Sequence, residues 1–221
     1  MRKGALDLEE LKRLQLKLAT RASSGPLRGP VRLVAGVDVA YVSGKNRAFP
    51  AAVLLSWPGL EVREEQVLEL TVSFPYLPGY LSFREVPLLV AVLSRLSRTP
   101  DLVFVDGQGR AHPRRCGLAV HLGVELGLPT VGCAKKPLVG DFEPPGPEVG
   151  ARSPILLEGE VVGYVVRTRT GVKPVYVSPG HGLSADEAVD LVLAACRGYR
   201  LPEPVRLAHL CATRARKCAR E

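Results

Sequence analysis

Apolar and polar positions alternate with two different periods along this chain, and the switches between them mark out its elements. Near the N-terminus Leu8, Leu11, Leu14 and Leu18 recur at helical spacing, which predicts a helix running to about Arg21. Asp7-Leu-Glu-Glu10 has the form of a capping box at its start. A Gly/Pro/Ser loop over 23–30 follows. Residues 31–42, 51–57 and 60–72 read as three strands joined by short turns at 43–46 and 58–59, which predicts an antiparallel meander. After a tight Pro/Gly turn at 75–79, Phe83, Val86, Leu89, Val92, Leu93 and Leu96 predict a helix over 82–98. A buried strand at 102–106, a helix at 115–126 and a strand at 130–133 form a strand–helix–strand unit, which should be parallel.

The second half reads less regularly. A long Pro/Gly loop spans 135–153, and a hairpin around Glu158-Gly159-Glu160 joins strands at 155–157 and 161–167. A short extended piece lies at 175–178. Ser184-Ala-Asp-Glu187 is a second capping box, opening a helix to about Arg197. His209 falls in a terminal helical segment, and the basic run 213–221 reads as a fraying, mobile tail. Three antiparallel strands followed by a helix and a parallel strand is the order of a ribonuclease-H-like core. The expected fold class is therefore α/β: a mixed sheet, antiparallel meander plus parallel strands, flanked by helices, in a single domain over 1–221. Fold alone does not fix function.

Composition narrows the partners. The formal charge of +8 favours a polyanion, while the 5% aromatic content argues against an extended base-stacking platform. No apolar stretch reaches membrane-spanning length, and charges occupy 1–10 where a signal peptide needs apolar residues. The expectation is a cytoplasmic monomer with no membrane partner. The five cysteines are far apart and lack a C-x-x-C pair, which disfavours disulfides and structural zinc.

Three carboxylates are candidates for chemistry. Asp106 ends the buried strand and is followed by Gly107, Gly109, Arg110, His112, Arg114 and Arg115. A strand-end carboxylate suits a hard cation, the glycines let a ligand approach, and the arginines suit phosphate. The alternative is a turn capped by Asp106 with a solvated cationic face. Asp38 sits in a strand apolar on both faces, so it needs a compensating cation, metal or proton. A metal shared with Asp106 on the neighbouring strand is one answer and an arginine ion pair the other. Glu85 fits a local capping box, Ser82-Phe-Arg-Glu85, as well as it fits a site.

An ordered set of motifs carries a family resemblance over about 36–209. They are Gly36-Val-Asp-Val-Ala-Tyr41, Pro75-Tyr-Leu-Pro-Gly79, Phe83-Arg-Glu85, Asp106-Gly-Gln-Gly-Arg-Ala-His-Pro-Arg114, Gly132-Cys-Ala-Lys-Lys-Pro137, Ser178-Pro-Gly-His181 and Ala208-His209. Together they closely resemble the endonuclease V family. The resemblance implies a Mg²⁺-dependent nuclease, with Mn²⁺ able to substitute. It implies DNA containing deaminated bases as substrate, cut at the second phosphodiester bond 3′ to deoxyinosine, leaving 3′-hydroxyl and 5′-phosphate ends.

For individual positions it implies Asp38 and Asp106 as metal ligands, with Glu85 near the metal through water. It places Lys135 and His112 near the scissile phosphate and makes His209 catalytic, either positioning water or transferring a proton. Tyr76 becomes a wedge filling the gap left by an extruded base, and Gly79, Leu81, Gly107 and Gly132 line the pocket for that base. Without the family, His209 reads as a surface histidine, Lys135 as a solvated lysine and Tyr76 as packing for a turn. Arg110 and Tyr80 stand where the family leads one to expect apolar residues, and Gln108 is in a variable place. Two further readings remain: a related enzyme acting mainly on inosine-containing RNA, or a non-catalytic nucleic-acid-binding module. The last predicts loss of one of the three carboxylates, and all three are present.

Overall fold

Strand β1 (Leu33–Tyr41) is buried at every position except Asp38 and Tyr41, because both faces of its sheet are covered by helices. Its residues alternate between two cores. Val34 packs on one face and Ala35, Val37 and Val39 on the other. The computed structural model describes residues 7–219. After helix α1 (Leu8–Arg21) and β1 come β2 (Arg47–Ser56), β3 (Val62–Val67), β4 (Leu70–Thr71), α2 (Leu81–Leu93) and β5 (Leu102–Val105). Next are α3 (Leu118–Leu126), β6 (Thr130–Ala134), β7 (Arg152–Leu157), β8 (Glu160–Val166), β9 (Val175–Pro179), α4 (Ala185–Ala194) and α5 (Glu203–Cys218).

The strands of the described residues form one sheet in the order β3-β2-β1-β5-β6-β9-β8-β7, with β4 alongside the start of β2. β1–β5 and β5–β6 pair in parallel; the other pairs are antiparallel. This is the ribonuclease-H-like arrangement. Helices α4 and α5 cover one face and α2 and α3 the other, with α1 packed outside α3. No described helix is long and apolar enough to cross a membrane.

Several elements depart from the sequence pattern for local reasons. The third strand splits at Pro50, which accepts from the Leu68 N–H but has no N–H to return, so the outer ladder breaks into β3 and β4. α2 stops at Leu93 rather than Arg98. α3 starts at Leu118 rather than Arg115, because Arg115 is left-handed at φ 53°. In α1 the buried face is Gln15 and Leu18, while Leu8 and Leu14 are exposed. Of the basic run at 213–221, expected to fray, the described part through Cys218 continues α5, and Arg214 pairs with Glu65 on β3 at 2.8 Å. Arg220 and Glu221 lie outside the described residues. The Ser184 capping box is complete, and Asp7 accepts from the Glu9 and Glu10 N–H groups. The cysteines are free.

α5 lies hard against β1. A Cβ on Gly36 would collide with the Pro204 backbone, so glycine is required for this approach. Gly36→Ala should therefore lower stability by about 1–3 kcal/mol in urea unfolding, the usual cost of overpacking. A variant as stable as the parent would mean that α5 does not need this close contact.

Candidate active site

The parallel register of β1 and β5 sets Val37 beside Val105, so the next residues, Asp38 and Asp106, reach the strand ends side by side. Alternation turns both toward α5. From there His209 reaches Asp38, Nδ1 to Oδ2 at 2.7 Å. Asp38, Asp106 and His209 offer ligand atoms all within 4.8 Å of one another. Lys135, one residue beyond β6, ion-pairs with Asp106. Glu85 arrives from α2 on the opposite face and is buried, where the Tyr41 hydroxyl donates to it at 3.0 Å. The Ser82–Glu85 capping box does not form: α2 has no side-chain cap, and the buried Ser82 hydroxyl has no partner.

The electrostatics follow from this crowding. Burial pushes the Glu85 carboxyl up to about 8, and the charges on Asp38 and Asp106 add to that. Asp106 is also raised, by burial first and then by Asp38. His209 is raised, chiefly by its hydrogen bond to Asp38. Three carboxylates facing one region, with the His209 imidazole on Asp38 and the Lys135 ammonium on Asp106, form a donor set that fits a hard divalent cation. Asp38 and Asp106 are the groups placed to hold it, with His209 within reach of the same point and Glu85 behind them.

A cavity of about 430 Å³, within the range of small-molecule pockets, opens beside this cluster. Gly107, next to Asp106, is part of its wall, with Tyr76, Gly79, Leu81, His112 and Lys135. Tyr76 is 67% exposed, so its ring does not serve to pack the turn. His112 stands in this wall rather than among the carboxylates; its Nε2 donates to the Gly79 carbonyl at 3.1 Å. Burial, helped by Arg114, lowers His112 to about 4, so it stays neutral at physiological pH. Gly132 is not in the wall. It lies beneath the Gly107–Gln108 turn, where a Cβ would sit 2.6 Å from the Gly107 carbonyl oxygen. The unexpected Arg110 and Tyr80 find places: Arg110 donates to the Ala22 carbonyl at 3.3 Å, and the Arg114 guanidinium sits 4.6 Å over the Tyr80 ring.

Two contributors escaped the sequence reading. Arg200 donates to the Lys135 carbonyl at 2.7 Å and to the Pro174 and Lys173 carbonyls at 2.9 Å, anchoring the turn that carries the Lys135 ammonium. Gln15, from outside every motif, is wholly buried beside the cavity. Nothing in the local pattern around Arg200 marks it; a glutamine on the inward face of a helix is at least an anomaly of periodicity.

Strand-end carboxylates on a ribonuclease-H-like sheet, with an imidazole and an ammonium beside them, define the class: a nuclease of the ribonuclease-H-like kind. The sequence profile of the endonuclease V family matches residues 13–210. The chain belongs to the endonuclease V family. It is 56% identical over 182 residues to the endonuclease V of Gloeobacter violaceus, covering 81% of this chain and 74% of that one. With the endonuclease V of a Roseiflexus species it shares 48% over 209 residues, 95% and 93% of the two chains. The crystal structure of the Streptomyces avermitilis enzyme superposes with a TM-score of 0.91 at 42% identity, covering 100% of this chain and 98% of that one. Endonuclease V of Ciona intestinalis, solved with a 24mer DNA containing an inosine followed by a ribo-adenosine, superposes with a TM-score of 0.86 at 26% identity, covering 97% and 100%.

Glu85 gives a pH test that needs no activity. Its raised folded-state pKa means that stability present below its ordinary value near 4.5 is lost as pH rises through about 8. His112 and His121, both lowered to about 4 by burial, act oppositely: their stability is lost as pH falls below 6.5. Both histidines remain in a Glu85→Gln variant, so they cancel in the comparison. In chelator, that variant should gain on the parent between pH 5 and 8, by more than about 1 kcal/mol. A constant gap in urea unfolding across that range would refute the buried, protonated carboxyl.

Proposed function

We propose that this chain cuts DNA at deaminated adenine, hydrolysing the second phosphodiester bond 3′ to deoxyinosine and leaving 3′-hydroxyl and 5′-phosphate ends. The observation that carries the reading is the adjacency of the Asp38–Asp106–His209 cluster to the cavity that begins at Gly107. A base extruded into that cavity puts its own strand across the cluster.

In this reading Asp38 and Asp106 hold Mg²⁺, which Mn²⁺ can replace, with Glu85 contributing through water. Bound there, the cation would supply Lewis-acid charge at the phosphate and lower the pKa of a nearby water. Lys135, anchored through Arg200, leaves Asp106 to neutralise charge on the phosphate. His209, fixed through Nδ1, has Nε2 to orient water or to move a proton. His112 stays neutral and shapes the cavity wall, on the same side as Lys135. Tyr76 fills the vacated stack, while Gly79, Leu81 and Gly107 face the base and Gly132 supports the turn under it. We assign the protein to the cytoplasm as a monomer.

Inosine-containing RNA is the second reading. It is favoured by the ribo-adenosine beside the inosine in the Ciona intestinalis complex. Matched DNA and RNA oligonucleotides, with and without one inosine, incubated with Mg²⁺ or with chelator, test both. Cleavage should require inosine and Mg²⁺, and the faster of the two nucleic acids names the substrate. Asp106→Asn should abolish cleavage and leave DNA binding intact, because the basic surface is untouched; near-parental cleavage by this variant would refute the metal site.

Tyr76→Ala should weaken binding to inosine in a duplex more than in a single strand. The loss should be about 1–3 kcal/mol, the worth of one base–aromatic stack. Equal losses on the two substrates would count against a wedge.

A further inference from the structure

We infer that Gln15 of α1 is a positioning residue for base extrusion: with Arg114 and His112 it fixes the Gly79 carbonyl and thereby holds the loop that carries Tyr76. The inference rests on the cavity being the base site proposed above, and it adds a part of the chain that no motif contains.

A buried amide without partners is costly, so a fully buried glutamine on a surface helix calls for a reason. Gln15 Nε2 donates to the Gly79 carbonyl at 3.0 Å, with a longer bond to the Cys116 carbonyl at 3.4 Å. Its Oε1 accepts from Arg114 Nε at 2.5 Å. Arg114 then donates through Nη2 to the same Gly79 oxygen at 2.8 Å. His112 adds Nε2 at 3.1 Å. The His112 Nδ1 accepts the Arg114 backbone N–H at 3.2 Å, which places the ring proton of the neutral form on Nε2.

Three donors from two separate stretches of chain therefore converge on one carbonyl that has two lone pairs. Gly79 is an unusual target. It is left-handed at φ 78°, ends the Pro75–Gly79 turn and stands just ahead of α2. Pro75 and Pro78 stiffen the turn internally. The Gly79 carbonyl ties that stiff unit to α1 and to the 112–116 segment. The exposed Tyr76 ring is thus carried by a loop whose far end is over-determined.

Replacing Gln15 by Leu fills the space but removes one donor from Gly79 and the acceptor from Arg114. Gln15→Leu should raise the KM for an inosine duplex about tenfold, the size of one lost buried hydrogen bond. The kcat and the Mg²⁺ dependence should stay near the parental values, because the carboxylate cluster is not touched. The fluorescence of a 2-aminopurine placed next to the inosine, which reports unstacking, should rise less on binding. Gln15→Glu keeps the acceptor for Arg114 and should fall between Gln15→Leu and the parent. Arg114→Met leaves the sequence of α1 intact while removing a second donor from the same carbonyl and the partner of Gln15 Oε1, and should reproduce the KM and fluorescence changes, which covers the case of a poorly folded Gln15→Leu.

Parental KM and fluorescence in both Gln15→Leu and Arg114→Met would overturn the inference. So would a fall in kcat or in Mg²⁺ response with KM and fluorescence unchanged. A parent protein that ignores inosine would overturn the base-site assignment and this inference with it, whereas a parent that cuts inosine DNA, matched by its variants, would overturn this inference alone.

Discussion

Holding two carboxylates side by side at the ends of adjacent parallel strands costs Coulomb repulsion where water screens poorly. The surroundings of Asp38 and Asp106 answer that repulsion. His209 is delivered to Asp38 by a helix that can approach only because β1 has a glycine at position 36. Lys135 is delivered to Asp106 by the parallel neighbour of β5, and Arg200 pins the backbone that carries it. Glu85, which has no cationic partner of this kind, stays protonated against Tyr41. A divalent cation would replace these local compensations with a stronger one, which is why the arrangement reads as poised for metal.

The cavity and the charged cluster share backbone, and this couples recognition to chemistry. Gly107 belongs to the cavity and follows Asp106 directly. α2 begins just after Gly79 at the cavity and carries Glu85 to the carboxylates. The neutral, buried His112 and the wholly buried Gln15 belong to the cavity side of this division, where fixed shape matters more than charge. Arg114 serves the cavity side too, spending its guanidinium on Gln15, Gly79 and the Tyr80 ring.

The outlying strands β7 and β8 extend the sheet on the side away from β1. Arg115, held left-handed, reaches across to the Leu157 carbonyl and to Glu158 and Glu160 of that hairpin. These exposed pairs are worth little individually. Their geometric effect is to fix the segment between the cavity wall and α3.

What the sequence determined by itself was whatever depends on neighbours a few residues apart. Runs apolar on both faces located β1 and β5, and with them the strand ends at Asp38 and Asp106. Side-chain chemistry within four residues located the complete Ser184 cap. What only the tertiary structure decided was the choice among partners equally plausible locally. Ser82–Glu85 has the form of a cap, yet Glu85 spends its carboxyl on Tyr41, forty-four positions away. The leucines of α1 suggested one inward face, yet contact with α3 turned Gln15 inward and gave it Gly79 and Arg114 as partners. His112 follows Asp106 by six residues but belongs to the cavity, because the intervening glycine turn redirects the chain. Hydrophobic periodicity is a property of the chain taken locally, whereas the pairing of a buried polar group is settled by whichever distant segment packing brings within reach of it.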